Sequence, residues 1–459
     1  MHIAVALLLG FGTTAALAIR PAIDGTSGRL SVYLGGVALA GTTVALGCLL
    51  AAMALMEQGA AAPPDWTLAY YGWALAAGTV LAVGTSWFYP ARKGSLPLAD
   101  IALIVATLAS CGFILFSLDT LSLRLRAGTP FADPNNGWAA FVIVLLIAEL
   151  PRRLAGLTLV VIAGVFIAYA FLGPWMPGFL EHKGYDAKRF FTYIFTDNGV
   201  LGPTTAVSST YIILFIVFAA FLQSSKVGDY FVNFAFAAAG RARGGPAKVS
   251  VLASGLMGMI NGTSAGNVVS TGSLTIPLMK KVGYRPQSAG AIEAAASTGG
   301  QIMPPIMGAG AFIMAEITGI PYTELVIAAL IPAILYFASI YFMVDFEASR
   351  TGMRGMRADE LPKLAALARQ AYLFLPIVIL IGALFAGYSV IRAGTLAIGS
   401  AAVVSWFTPY RMGPRQIYEA LGNGGRMSLQ IIIVCACAGL IVGVISLTGV
   451  GARFSSLLF

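Results

Sequence analysis

Residues 247–305 gather side chains able to hold an ion or a small anion inside sequence that is otherwise apolar. Asn261-Gly262-Thr263-Ser264-Ala265-Gly266-Asn267 is a polar stretch, and Ser270 and Thr271 lie just beyond it. Glu293, Ser297, Thr298, Gly299, Gly300 and Gln301 follow, and Pro304-Pro305 closes the series. Hydroxyl, amide and unwound carbonyl oxygens suit a hard monovalent cation such as sodium, while helix N-termini suit an anion. The expected sodium ligands are Asn267, Thr271, Ser297, Thr298 and Gln301, with backbone freed at Gly299-Gly300. A blander reading competes for each Ser or Thr taken singly, because such hydroxyls often bond the carbonyl four residues back. It accounts poorly for the seven-residue polar stretch taken whole. Glu293 is an intramembrane carboxylate and a functional candidate by default, with pairing to Lys280 or Arg285 as the alternative.

These residues need particular elements to position them. Lys248 to Ile260 is an apolar run of about 13 residues, ~20 Å long as a helix, against a hydrocarbon core of ~30 Å. A second short run, Val268 to Met279, returns to Lys280-Lys281 and Arg285, and Arg241, Arg243 and Lys248 flank the first. Two half-length helices with basic flanks at both ends read as a re-entrant hairpin with its polar tip at 261–267. The next helix, from Gln287 to Met303, is broken by Pro304-Pro305 and resumes from Ile306 to Gly319. Along it Glu293, Ser297 and Gln301 are spaced to share one face, as Thr263, Asn267, Ser270 and Thr271 are on the hairpin. A hairpin tip beside a broken helix is how secondary transporters build their sites.

The whole chain has a matching character. Of 459 residues 58% are hydrophobic and only 10% charged, where a soluble domain carries about 25% charged residues. The composition excludes a water-soluble enzyme and implies an all-α polytopic membrane protein. The 28 Lys+Arg against 19 Asp+Glu fall singly or in twos and threes between apolar runs, a pattern of membrane loops and not of a nucleic-acid-binding face. Spans are expected at 2–19, 31–55, 67–89, 99–117, 138–150, 154–173, 205–223, 322–344, 371–390, 392–409 and 427–448. The basic loops 20–30, 90–98, 152–153, 224–248, 280–287, 345–370 and 410–426 are placed in the cytoplasm by the positive-inside rule. Loop 118–137, with Arg124 and Arg126, runs against that count. Residues 229–239 read as an interfacial helix. Cys48, Cys111, Cys435 and Cys437 lie in apolar runs as inert thiols, and His2 and His182 have no cluster around them, so no cofactor or protein-built metal centre is expected. With no G-x-x-x-x-G-K-[ST] loop, nothing suggests an ATP-driven motor.

With these residues in view, the sequence strongly resembles the fused membrane subunit of TRAP transporters (tripartite ATP-independent periplasmic transporters, 4TM/12TM type), in the branch paired with TAXI-type binding proteins. The stretches that carry the resemblance are YPARKG at 89–94, GRARGGPAKV at 240–249 and NGTSAGNVVSTGSLTIPLMKKVGYRP at 261–286. GAIEAAASTGGQIMPPIMGAGAF at 290–312, EITGIPY at 316–322 and LIVGVISLTGVG at 440–451 continue it. Residues 1–66 share only the general character. The resemblance implies a small Q-like membrane domain at 1–175 and a partial M-like transport domain at 176–459, holding the hairpin at 247–281 and the broken helix at 287–320. It implies sodium-coupled uptake of a small organic anion such as a dicarboxylate, by an elevator motion, in the bacterial inner membrane. A periplasmic TAXI-type solute-binding protein would deliver the substrate.

The family's site carries over onto Asn261, Gly262, Thr263, Ser264, Asn267, Thr271, Ser297, Thr298, Gly299, Gly300, Gln301 and Pro304. Gln223 departs from the pattern, since a Glu is common there. Only one hairpin-plus-broken-helix unit appears before Phe459, so the sequence reads as the first of two inverted repeats of a longer machine. A scaffold subunit without its own substrate path is the alternative, and a polar hairpin at mid-membrane argues against it. A membrane-embedded enzyme would need convergent His, Cys or paired carboxylates, which the spans do not supply.

Overall fold

The computed structural model describes residues 29–58, 65–89, 97–119, 129, 134–154, 156–357, 361–363, 367–408 and 411–458. The span read at 2–19 and the basic residues Arg92 and Lys93 lie outside the described residues. Helices and turns make up what is described, with no strand among those residues. Seven helices are long and apolar enough to cross a membrane. Five of them are α1 (Arg29–Glu57), α2 (Asp65–Phe88), α3 (Leu98–Asp119), α5 (Leu157–Leu172, extended by a 3₁₀ turn) and α7 (Pro203–Ser224). The other two, α13 (Tyr322–Arg350) and α16 (Pro414–Thr448), come later in the chain. Each forms where the apolar run approaches the ~20 residues that a hydrocarbon core demands.

The chain falls into two compact units. One holds the described residues up to Ser209 together with those from Leu429 onward. Its core is made by α1, α2, α3 and α4 (Pro134–Leu154), with Leu49, Tyr71, Leu75, Leu103, Phe113 and Leu146 buried together. Arg152-Arg153, read as a turn, instead completes the last turn of α4, because Glu149 one turn earlier draws both guanidiniums back along the helix. Arg153 also reaches Asp100 at 3.0 Å. Ser86 Oγ and Trp87 Nε1 donate to the Glu149 carboxylate at 2.9 and 2.8 Å. A short amphipathic helix, α6 (Ala187–Ile194), interrupts the loop expected at 174–204, capped by the Asp186 side chain.

The second unit covers Thr210–Ser428. It contains α8 (Val227–Ala239), α9 (Gly245–Asn261), α10 (Ser264–Lys281), α11 (Pro286–Gly299), α12 (Ala309–Thr318), α13, α14 (Leu375–Phe385) and α15 (Val390–Ser405). α9 sits at its centre. Val249 and Ala253 of α9 pack on Val232, Ala235 and Phe236 of α8. Ala247 and Val251 pack on Ile292 and Ala296 of α11 and on Val344 of α13. The outer face of α13 shows Ile331, Leu335, Phe342 and Met343 exposed, the surface a lipid-facing helix presents. The spans read at 371–390 and 392–409 are shorter, at 11 and 16 residues, and part at Gly387, whose φ of 83° ends a helix readily. Residues 414–426 are not a loop: α16 starts at Pro414, where a proline in the first turn lacks only an N–H that would be unbonded anyway. A closing helix, α17 (Val450–Leu458), follows it.

Candidate functional site

The hairpin is α9 and α10. Gly262 adopts φ 61° at the C-cap of α9, and extended Thr263 caps α10 by accepting from Gly266 N at 3.3 Å. A left-handed glycine followed by a threonine cap closes the turn in two residues. The seven-residue tip expected at 261–267 is therefore mostly helix: Asn261 closes α9, and Ser264 to Asn267 open α10.

The broken helix departs from its expected form as well. α11 stops at Gly299, a 3₁₀ turn spans Gly300–Ile302, and the chain stays unwound until α12 begins at Ala309. The break starts before Pro304-Pro305, at the weak helix formers Gly299-Gly300. The freed backbone is satisfied from within the protein, as a membrane interior requires. Gly308 N donates to Gln301 O at 2.7 Å, and Tyr322 Oη reaches the carbonyl oxygens of Pro305 and Ile306 at 2.7 and 2.8 Å. Tyr322 also stacks on Phe312, ring centroids 4.4 Å apart, tying α12 to α13.

Hairpin and break touch directly. A Cβ placed on Gly258 would stand 2.3 Å from Gly300 Cα, so only glycine permits this approach. Asn267 Nδ2 donates to Ser254 O at 2.8 Å and to Ser297 O at 3.5 Å, and Gln301 Nε2 to Ser264 Oγ at 3.4 Å. The expected residues are brought together unequally. Asn267, Thr271, Ser297, Gly299, Gly300 and Pro304 are buried, and Gly262, Thr263 and Ser264 are half-buried. Thr298 and Gln301 are exposed, and the Thr298 hydroxyl bonds Ala294 O at 2.8 Å. Gln301 does not continue the Glu293–Ser297 face, because the helix has ended two residues earlier. Ser270 turns to Gly266 O at 2.8 Å, the bland use of such a hydroxyl. The side chain of Asn261 lies outside the described residues.

Sequence reasoning did not single out Ser250, Ser254 and Thr275. With Thr271, Glu293 and Ser297 they form a cluster in which every side chain is 0% exposed. Glu293 Oε1 accepts from Ser254 at 3.3 Å, from Ser297 at 3.2 Å and from Thr271. Oε2 accepts from Ser250 at 2.6 Å and from Thr275. The signal was present as three i, i+4 polar pairs on consecutive apolar helices: 250/254, 271/275 and 293/297. Neither Lys280 nor Arg285 bonds Glu293; its partners are five hydroxyls. Beside the cluster, Asn267 Oδ1 is buried with no hydrogen-bond partner.

A set of apolar spans with a two-residue hairpin seated on a broken helix marks a polytopic membrane protein of the kind in which secondary transporters place their sites. Comparison with known proteins narrows the class. The family described as Tripartite ATP-independent periplasmic transporter, DctM component, matches residues 142–459, and the chain belongs to it. A C4-dicarboxylate TRAP transporter large permease protein DctM of Pseudomonas aeruginosa is 28% identical over 235 residues, 50% of this chain and 54% of the relative. Proteins of the same description from Vibrio cholerae and Rhodobacter capsulatus are 29% and 25% identical, over 44% and 48% of this chain and 44% and 53% of their own lengths. The chain thus spans about half the length of the curated relatives it matches.

Proposed function

We propose that the chain is a membrane permease subunit of a TRAP transporter, of the fused type paired with a periplasmic TAXI-type binding protein, acting in the bacterial inner membrane. Its cargo is a small organic anion such as a dicarboxylate, taken up with sodium and without catalysis. The observation that carries this reading is the buried Asn267 Oδ1 without a partner, at the seam between hairpin and broken helix. Buried amide oxygens are almost always bonded, and the Asn267 Nδ2 bonds to two carbonyls fix which way the amide faces. The oxygen is therefore free to meet a cation. Thr271 and Ser297 donate to Glu293 yet keep lone pairs for such an ion, and Thr298 and Gln301 stand at the exposed rim.

A second observation in the same seam supports an anion as the cargo. Gly262, before α10, lies against Met307 and Gly308, before α12, with a Cβ on Gly262 only 2.7 Å from Met307 O. The starts of two helices therefore lie close together, and the dipole of a helix N-terminus favours a carboxylate. That the relatives are named for C4-dicarboxylates agrees with this choice of cargo. Thermal unfolding of the purified chain in sodium, potassium and choline chlorides tests the reading. Sodium should stabilise selectively, and Asn267→Ala should abolish the difference. Equal stability in all three salts would remove the basis for sodium coupling.

A further inference from the structure

The end of α13 carries a feature that the seam does not use. Residues 325–344 hold no charged side chain and as helix span ~30 Å, the thickness of a hydrocarbon core. Charge begins at Asp345, so Glu347 and Arg350 stand at headgroup level. Gly352, at φ 68°, then turns the chain back. Met353 N donates to Ala348 O and Met356 N to Gly240 O, both at 2.9 Å. Gly355 lies so close to Arg241 O that a Cβ there would stand 2.3 Å away. Residues 352–356 are thereby fixed against the end of α13 and the turn between α8 and α9.

A pocket of about 700 Å³ lies between these residues and the turn from α10 into α11. Arg285, Ser288, Glu347, Arg350, Thr351 and Arg354 line it, three guanidiniums against one carboxylate. Among the described residues no hydrogen bond or ion pair takes up the side chains of Arg285, Arg350 and Arg354, while the neighbouring Asp345 already holds Arg243 and Lys248. The pocket therefore carries net positive charge with its donors unspent. A planar guanidinium offers paired N–H groups that match phosphate oxygens. By their spacing Met343, Phe346 and Arg350 share one face of α13, and Met343 and Phe346 are exposed. Apolar surface fit for acyl chains thus runs into the basic pocket. Arg285 caps the start of α11, and the Asn267 seam lies at the other end of that helix, ~20 Å away over 14 residues. One small anion cannot occupy both.

We propose that this pocket binds the phosphate of an anionic phospholipid, whose acyl chains lie along the Met343 and Phe346 face of α13. Arg350 and Arg354 hold the phosphate from the end of α13 and the strap that follows it, and Arg285 meets it from the start of α11. Basic pockets between membrane helices at the bilayer surface suit such headgroups. The bound lipid joins the end of the hairpin, the start of the broken helix and the end of α13. The lipid site is independent of the seam, needing neither sodium nor a dicarboxylate there.

Native mass spectrometry of the full purified, delipidated chain reads the affinities for phosphatidylglycerol and for phosphatidylcholine of the same acyl chains. A basic residue near an anionic lipid is worth about 1 kcal/mol, so the pocket's net two charges should favour phosphatidylglycerol about 30-fold. Arg350→Gln combined with Arg354→Gln leaves one arginine against one carboxylate, and the two lipids should then bind alike. Glu347→Gln should tighten phosphatidylglycerol about fivefold, and it serves where the double variant does not fold. Arg392→Gln, at an exposed arginine of α15, should leave both affinities as they are. Equal affinity for the two lipids in the parent protein, no loss in the double variant, or the same loss in Arg392→Gln would overturn the proposal. So would displacement of the lipid by glycerol phosphate at equal concentration, which would make the site one for a soluble anion.

Discussion

Replacing Gly258 with alanine tests whether the seam between hairpin and broken helix is set by backbone contact. The new methyl would stand 2.3 Å from Gly300 Cα and 3.1 Å from its carbonyl carbon and oxygen. Carbon atoms rest at about 3.5–4.0 Å, so α9 and the 3₁₀ turn must separate by roughly 1.5 Å. Overpacking of a tight interior costs about 1–3 kcal/mol. The upper end applies here, because both obstructing groups are backbone and no side chain can swing aside. Gly255, one turn away on α9, supplies the control. A methyl there meets the Phe337 ring at 3.5 Å, an ordinary contact, and removes the penalty of ~1 kcal/mol that glycine carries in a helix interior. The two variants should move stability in opposite directions, a gap of about 3 kcal/mol, read as Tm of the full chain in detergent. Gly258→Ala should also reduce the sodium-dependent part of that Tm, since Asn267 Nδ2 bridges the same seam to Ser297 O. Equal Tm values for Gly255→Ala and Gly258→Ala would show that the two elements do not meet as described.

Arg153→Ala should lower stability by about 3–5 kcal/mol by leaving Glu149 and Asp100 short of their buried partner. Arg153→Lys should recover little of it in the same unfolding assay, because a lysine cannot span both carboxylates and Ser86 as the guanidinium does. At the end of α10, burial and then the Glu347 and Asp345 carboxylates push the Tyr284 hydroxyl up to about 12. The neutral phenol is thus favoured in the folded state, so its contribution is whole below an unfolded value of ~10 and is lost as pH rises from there through about 12. Tyr284→Phe should flatten that alkaline loss, and it should cost little at neutral pH because the buried hydroxyl has no hydrogen-bond partner. Single cysteines placed at Glu57 and Lys183 should react with an impermeant reagent from the periplasmic side, and one at Lys281 should not. Labelling at 281 alone would reverse the orientation drawn from loop charge.

The apolar spans, the helical hairpin and the interruption near Pro304-Pro305 were readable from residue order alone. Hydropathy over some twenty residues, and the local rules for glycine and proline, act within one stretch of chain. Where those rules compete, the reading slipped by a few residues: the tip shrank to Gly262-Thr263, and the break moved forward to Gly299. Residues 414–426 are polar in sequence and helical in the fold, because charge marks what leaves the membrane and not where a helix starts. What the sequence could not decide was the company of Glu293. Lys280 and Arg285, a short distance along the chain, were its natural candidates, yet Ser250 meets it from 43 residues away. Three i, i+4 pairs, each unremarkable on its own helix, become one cage only when α9, α10 and α11 are rotated to face a common centre. That rotation is set by packing between helices, through contacts such as Gly258 on Gly300 and Val251 against Ile292, and no local pattern encodes it.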